Sequence, residues 1–495
     1  MSTSVISPEF KVIIFQPNND KPIEFPVDKI TNIRSVRGLR NNSITITFAR
    51  NSDPNINYRD YFQDQSLVSL QVRINSREPF VQENFGYVTG NQTNILPNRK
   101  NETINILGLE AKLKNQNLFL DVIANQDYSI EDINLKALKA DGNKFVHTLS
   151  SIGKVFDKIN EMPRLIKAVY DTFIADLSNP NIDFEFGGKE LFKKTSDLED
   201  DPYLILPFIL AEGYTKTFTH VFNFVSGYTI GANVNFWDII NSLECDPLYE
   251  VFFDSLERTY YDNSTILDSN GIGTTYEVER EKVSFIFRKT PFEKYIDSQG
   301  QWKRDRVIRQ LPKSKIKSIV NSFSQDSIYA GVHVGLSFLG QQASTIVQPP
   351  IWNQNIKSIF GYRLMRVMLD GLQFEDNVTL ANIKKTFQGE IKTIQDRLFS
   401  IFCNFPKVKA ANSTIETKYD FFRVGTPLQF DNPEKDFGDI GYIESVSSSF
   451  APQGHATSTI ELKWVDYDLK TQFSKQTVSS VNISDASFNQ TSSLA

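Results

Sequence analysis

Apolar and polar residues alternate with a period of two in many short runs of this chain, the pattern of strands with one buried face. In the sharpest run Ile460, Leu462 and Trp464 alternate with Thr459, Glu461 and Lys463. The run before it, Tyr442 to Phe450, puts Val446 and Phe450 on one face and Ser445, Ser447 and Ser449 on the other. Pro452, Gln453, Gly454 and His455 supply a loop between them. Residues 441–465 therefore read as a half-buried hairpin that finishes a sheet or barrel. Towards the other end, FKVIIFQ, SITITFAR (Ile44, Ile46, Phe48) and LVSLQVRI (Val68, Leu70, Val72) are strand signals, followed by FGYVTG and ETINILGLEAKL. Turn-forming clusters such as PNND, RNSDPN and TGNQTN separate them. Five or more short strands at this spacing predict a small barrel or sandwich.

Between these ends the period changes. Phe145, Leu149, Ile152, Phe156 and Ile159 recur at helical spacing as far as Pro163, and Val169, Phe173 and Leu177 continue a second helix. Phe236, Ile239, Ile240 and Leu243 predict a helix stopped by Pro247, after which LYEVFFD and VSFIFRK read as strands. Leu380, Ile383, Phe387, Ile391, Ile394, Leu398 and Ile401 give the cleanest helical stripe, capped by Thr379 or Asn377 and followed by Pro406. Strands return from 418 with YDFFRVGTPLQF. Past Tyr467 the chain is polar, too poor in apolar surface to fold alone, and is expected to be disordered or laid on a partner. The pattern predicts a β-rich α+β chain. Its divisions are β strands at 1–127, a helical or mixed insertion at 128–235, a helix–strand block at 236–300, a mixed α/β region at 301–405, closing strands at 406–467 and a polar arm at 468–495. No internal period of 20–50 residues marks a solenoid.

At 495 residues, 40% hydrophobic and 23% charged, the chain is long enough for two to four domains. The net charge of −6 argues against a protein that grips nucleic acid through phosphate neutralisation, but not against a channel through which nucleic acid slides. Two cysteines, Cys245 and Cys403, allow one disulfide; so few favour buried free thiols. The start, MSTSVISPEF, lacks the charged-then-apolar design of a signal peptide. The longest apolar run, Tyr203 to Ala211, is interrupted by Pro207 and is far short of the roughly 20 residues that a membrane helix needs. A chain made and folded in a cytoplasm is expected.

No motif for chemistry stands out. G-x-S-x-G is absent, and His147, His220, His333 and His455 form no metal-binding spacing. Gly187-Gly188-Lys189 lacks the rest of a phosphate loop, and Gly271-Ile272-Gly273 lacks the third glycine of a dinucleotide fingerprint. Asp268 to Gly271 is too tightly spaced for a calcium loop and reads as a turn. Glu199-Asp200-Asp201 reads as a solvated loop, although any two of 59 acids could meet as a glycosidase pair. No catalytic, cofactor-binding or metal-ligating residue is assigned, and no cofactor is expected.

In order along the chain, four blocks resemble bacteriophage tail or baseplate hub proteins, a family related to the hub half of type VI secretion spike proteins. The first is FGYVTG with TINILGLEAKL, Phe85 to Leu113. The second carries Trp237, Asp238, Pro247, Glu250, Asp254, Arg288, Pro291 and Phe292. The third is Gly361-Tyr362-Arg363, in which the Tyr–Gly order of the family is reversed. The fourth carries Val424, Gly425, Leu428, Tyr442, Glu444, Val446, Phe450, Thr457, Thr459 and Leu462. The resemblance implies a non-enzymatic virion component, assembled in the host bacterial cytoplasm. It implies a homotrimer in which each subunit gives two small tube-like β-barrels, one at 1–127 and one from 406–467, with or without 247–292. Such a ring joins a hexameric tail tube or distal tail ring to a threefold spike, fibre or tail lysin, and passes DNA or tape-measure protein through its lumen. Two other readings are a tail-associated wall hydrolase, for which about 28 residues after Tyr467 are too few, and a glycan- or receptor-binding tail protein using aromatics at 178–235.

Overall fold

The computed structural model describes residues 8–17, 19, 21–49, 58–96, 99–114, 117–118, 234–235, 237, 249–267, 273–281, 284–297, 302–307, 309–324, 328–336, 349–369, 392, 394–403, 411–431, 438–451 and 455–465. The expected helices at 145–177, nearly all of the insertion, Cys245, the Asp268 turn and the polar arm lie outside them.

The N-terminal strands are β1 (Glu9–Phe15), β2 (Ile23–Phe25), β3 (Ile30–Gly38), β4 (Ser43–Ala49), β5 (Leu67–Arg73), β6 (Val81–Leu96) and β7 (Arg99–Leu107), with helical turns α1 (Tyr58–Tyr61) and α2 (Leu109–Lys114). The alternation in FKVIIFQ, SITITFAR and LVSLQVRI becomes β1, β4 and β5. Their inward residues Val12, Ile14, Ile44, Ile46, Phe48, Val68, Leu70 and Val72 meet Phe25, Tyr58 and Phe62 in one core. ETINILGLEAKL splits. ETINIL pairs as β7, and LEAKLK, rich in helix formers, turns into α2 after Gly108.

After the short pair β8 (Asn117–Leu118) and β9 (Val234–Asn235) come β10 (Tyr249–Asp254), β11 (Arg258–Leu267), β12 (Gly273–Glu281) and β13 (Ser284–Lys289), then α3 (Phe292–Tyr295). β10 pairs with β13, and β11 with β12, as two-stranded sheets. Next are β14 (Arg309–Leu311), β15 (Ile316–Phe323), β16 (Gly331–Leu336), β17 (Ile351–Trp352), α4 (Gln354–Phe360) and β18 (Leu364–Leu369). Of the helix expected at 379–404, residues 394–398 are helical, with Leu398 buried, and lead into a π-helical turn, Phe399–Cys403. The chain then forms β19 (Ala411–Lys418), β20 (Pro427–Phe430), β21 (Asp439–Phe450) and β22 (Ala456–Lys463). YDFFRV, expected as strand, is irregular backbone that buries Phe422 and Val424.

Thirteen strands make one mainly antiparallel sheet in the order β15-β19-β22-β21-β3-β4-β7-β6-β5-β1-β2, with β20 on β21 and β14 on β20. The path is open at β15 and β2. The C-terminal hairpin, expected to finish a sheet, instead occupies its middle: β22 pairs with β19, and β21 pairs with β3 in the register Phe450↔Ile33 to Ser445↔Gly38. The burial of both strands follows the predicted alternation, with Val446, Phe450, Ile460 and Leu462 buried. Cys403 is a buried free thiol, pushed up to about 12 by its burial.

β6 passes from pairing with β5 to pairing with β7 at Tyr87, which faces both Leu67 and Leu107. At that crossing a Cβ on Gly86 would sit 2.2 Å from the Leu107 carbonyl oxygen, so only glycine fits. Gly90, four residues on, has open space around it. Gly86→Ala should cost about 2–3 kcal/mol in urea unfolding, whereas Gly90→Ala should stay within about 0.5 kcal/mol of wild type.

Candidate functional site

β10 places Glu250, Phe252 and Asp254 on one face and Val251 and Phe253 on the other, and all five are buried. Phe253 stacks on Trp237 at 6.0 Å. Buried carboxylates require partners, and these come from the C-terminal part of the chain, from β21 and from the irregular backbone before β20. Tyr442 donates its hydroxyl to Glu250 Oε1 at 2.6 Å, and Arg423 pairs with Asp254. Arg423 also donates to the carbonyls of Leu256 at 3.2 Å and Glu257 at 2.9 Å.

The other side of the same segment is held by N-terminal strands. Asn42 Nδ2 donates to Phe253 O at 3.0 Å, Gln82 Nε2 to Ser255 O at 3.0 Å, and Ser255 Oγ to Asn84 Oδ1 at 2.7 Å. The Glu257 amide donates to Gln82 O at 3.0 Å, and the Gln82 amide returns to Glu257 Oε2 at 2.9 Å. Residues 250–257 are thus a stitch between the two strand sets.

Beside it lies a fully buried charge cluster under the β3–β21 pairing. Arg37 Nε donates to Glu83 Oε1 at 3.2 Å, and the Tyr419 hydroxyl donates to Glu83 Oε2 at 2.9 Å. Burial pushes the Glu83 carboxyl above its ordinary value against the pull of Arg37 and the Tyr419 hydroxyl. Burial, reinforced by Glu83, raises the Tyr419 phenol well above its own. Glu110, on α2, accepts from the Asn42 amide and is also raised by burial. At the surface, burial pushes Asp420 up, but Arg309 and Lys315 outweigh it and hold the carboxyl below its usual value.

Three of the four blocks singled out in the sequence converge on this joint: Phe85 to Leu113 through Glu110, β10 through Glu250 and Asp254, and the C-terminal block through Tyr442. Phe292 of the second block packs on Trp464, ring centroids 4.2 Å apart. Asp238 and Pro247 lie outside the described residues. Gly361-Tyr362-Arg363 belongs to a different unit, the three-stranded sheet of β16, β17 and β18. Arg37, Glu83, Arg423 and Tyr419 were not picked out from sequence. Arg37 shares β3 with Arg34, and nothing in the sequence marked it as the buried one of the two.

No family model and no curated protein matches the chain. Solved structures similar to it include the 43 kDa tail protein of prophage MuSo2 from Shewanella oneidensis, at 9% identity over 92% of this chain and 98% of that one, TM-score 0.43. A tail protein from Neisseria meningitidis MC58 is similar at 8% identity over 92% and 96%, TM-score 0.39. Prophage tail protein gp18 from Listeria monocytogenes EGD-e is similar at 11% identity over 93% and 95%, TM-score 0.39.

Most polar groups of the joint bind one another, as in Arg37 with Glu83, Tyr419 with Glu83 and Tyr442 with Glu250. Among the described residues no group of three or more His, Cys, Asp or Glu is placed to hold a metal, and no helix is long and apolar enough to cross a membrane. His333 is buried on β16, its pKa lowered by burial and by Arg366, and His455 is exposed beside the hairpin loop. An open groove of about 680 Å³ lies by β1 and β2, where Lys11 pairs with Glu24 and Arg73 with Glu9, and both cations cover the Phe80 ring.

Two outcomes follow from the joint. Arg423→Ala strands the buried Asp254 and should cost about 3–5 kcal/mol in urea unfolding, against less than about 1 kcal/mol for Lys11→Ala at the surface pair. Glu110 has a folded pKa above its ordinary 4.5, so between those two values the folded state binds the extra proton. Its contribution to stability is full below the unfolded value and is lost as pH rises through the folded one. Glu110→Gln should flatten that fall in a series of urea titrations across pH.

Proposed function

We propose that this chain is a structural subunit of a bacteriophage tail tip or baseplate, a hub that lines a channel. The observation that carries the reading is the outer face of the large sheet across the β3–β21 pairing. Arg34 on β3, Ser447 and Ser449 on β21, Thr457, Thr459 and Glu461 on β22, and Thr414, Glu416 and Lys418 on β19 form a continuous exposed or half-exposed surface. It is rich in small hydroxyls, with both signs of charge interspersed. Neighbouring groups bind one another, as in Arg34 Nε to Ser447 Oγ at 3.3 Å and Ser445 Oγ to Glu461 Oε2 at 2.6 Å. A hydrated wall without a basic excess lets a polyanion or an extended protein pass without holding it.

The four sequence blocks support the family, and the fused strand sets support its logic. A threefold ring meets a sixfold tube at every position only if each chain offers two similar units. In this reading β1–β7 are one tube-like barrel unit, and β14, β15 and β19–β22 are the second. Three copies form a pseudo-sixfold ring between the tail tube and a central spike or fibre, with tape-measure protein and DNA passing through. The role is non-enzymatic, and the place is the virion. Negative-stain class averages of the purified chain should show a threefold ring with an open centre, of about three times 56.5 kDa. A monodisperse monomer that does not bind tail-tube protein would overturn the reading.

A further inference from the structure

The unit built from β16, β17, β18 and α4 differs in charge from the rest of the chain. Residues 327–369 contain no Asp or Glu, where 59 acids spread over 495 residues would put about five; their charges are Lys357, Arg363 and Arg366. This unit also carries exposed apolar bulk: Ile359 is 50% exposed and Tyr362 is 77% exposed.

The backbone that presents Tyr362 is fixed. Asn353 caps α4 through the amides of Asn355 and Ile356, and its Nδ2 donates to the Cys403 carbonyl at 3.0 Å. Gly361, at φ 79°, ends the helix in a conformation that favours glycine. The Arg363 carbonyl then accepts from the amides of Ala330 at 2.7 Å and Gly331 at 3.1 Å. The side chains are set as well. Trp352 meets the Tyr362 ring edge-on at 5.4 Å, Lys357 Nζ lies 4.0 Å over the Tyr362 ring, and Arg363 lies 5.9 Å over Phe360.

An exposed aromatic on fixed backbone, flanked by cations and an isoleucine, has the make-up of an interface anchor whose ordering cost is already met. We propose that the Trp352–Tyr362 ridge docks an acidic polypeptide segment bearing an apolar side chain. Lys357 and Arg363 meet its carboxylates, and Tyr362 and Ile359 meet its apolar group. The absence of acids from this stretch, in a chain of net charge −6, supplies the charge complementarity. Lys357 already caps one face of the Tyr362 ring, which leaves no row of open aromatic faces on which successive bases stack. The proposal does not depend on the hub reading.

The test titrates the full chain into a fluorescein-labelled random copolymer of glutamate and tyrosine, read by anisotropy, beside labelled oligo-dT and sedimentation velocity of the protein alone. The copolymer should bind. Tyr362→Ala and Lys357→Glu should each weaken it by about tenfold or more, while Lys317→Glu on β15 should not. Oligo-dT should not bind, and sedimentation should match wild type in every variant. The proposal is overturned by no copolymer binding, by binding that ignores the two ridge variants, by oligo-dT binding that they abolish, or by self-association that they dissolve.

Discussion

The inner side of the β3–β21 strand pair sets charge and hydroxyls among hydrocarbon: Ile33 faces Phe450, Ser35 faces Ser448 and Arg37 faces Val446, all buried. Arg37, Glu83 and Tyr419 are fully enclosed, and Ser35, Ser448, Ser458 and Thr417 lie opposite one another across four strands. A buried ion pair contributes little net stability against an apolar substitute, but breaking one is costly. Its main consequence here is register. A one-residue slip of β3 would turn Arg37 and Ser35 to solvent and leave Glu83 buried without its cation. The seam therefore has one workable alignment, and the relative position of the two strand sets follows from it.

The stitch at 250–257 turns that alignment into a single body. It is clamped by Asn42, Gln82 and Asn84 from one set and by Arg423 and Tyr442 from the other. Each contact joins residues roughly 170–210 positions apart on the N-terminal side and 165–195 on the C-terminal side. Contacts of such long sequence separation form late and reward only the completed fold. A chain organised in this way keeps its outer polar face continuous across the seam.

What could be read in the sequence was the part of the fold governed by hydrocarbon. β1, β4, β5 and the Ile460–Leu462 end of β22 alternate cleanly because their inner residues are apolar, whereas β21 is less clean because Ser448 shares its inner face with Val446 and Phe450. β3 gave no such signal: its inward positions include Ser35 and Arg37, which pair with Asn84 and Glu83. Gln82, Glu83 and Asn84 are all buried, yet a polar triplet before FGYVTG looks like a turn. β15 was equally silent, because as an end strand it leaves Val320 61% exposed and has little inner face to pattern. The hairpin was legible as a hairpin, but its central place was not, since that depends on β3. Glu250 and Asp254 were noticed because their block resembles the hub family's. Their partners Tyr442 and Arg423 were separated from them by too much chain to be inferred.

Native-state hydrogen exchange across the seam tests the account most directly. If charge burial and the stitch make the two strand sets one body, the paired amides of residues 33–38 and 445–450 exchange only through global unfolding, with the same opening free energy as the centres of β4 and β22. If the seam amides open at a distinctly lower free energy while β4 and β22 stay protected, the two sets are separate bodies that merely touch, and the central claim is wrong.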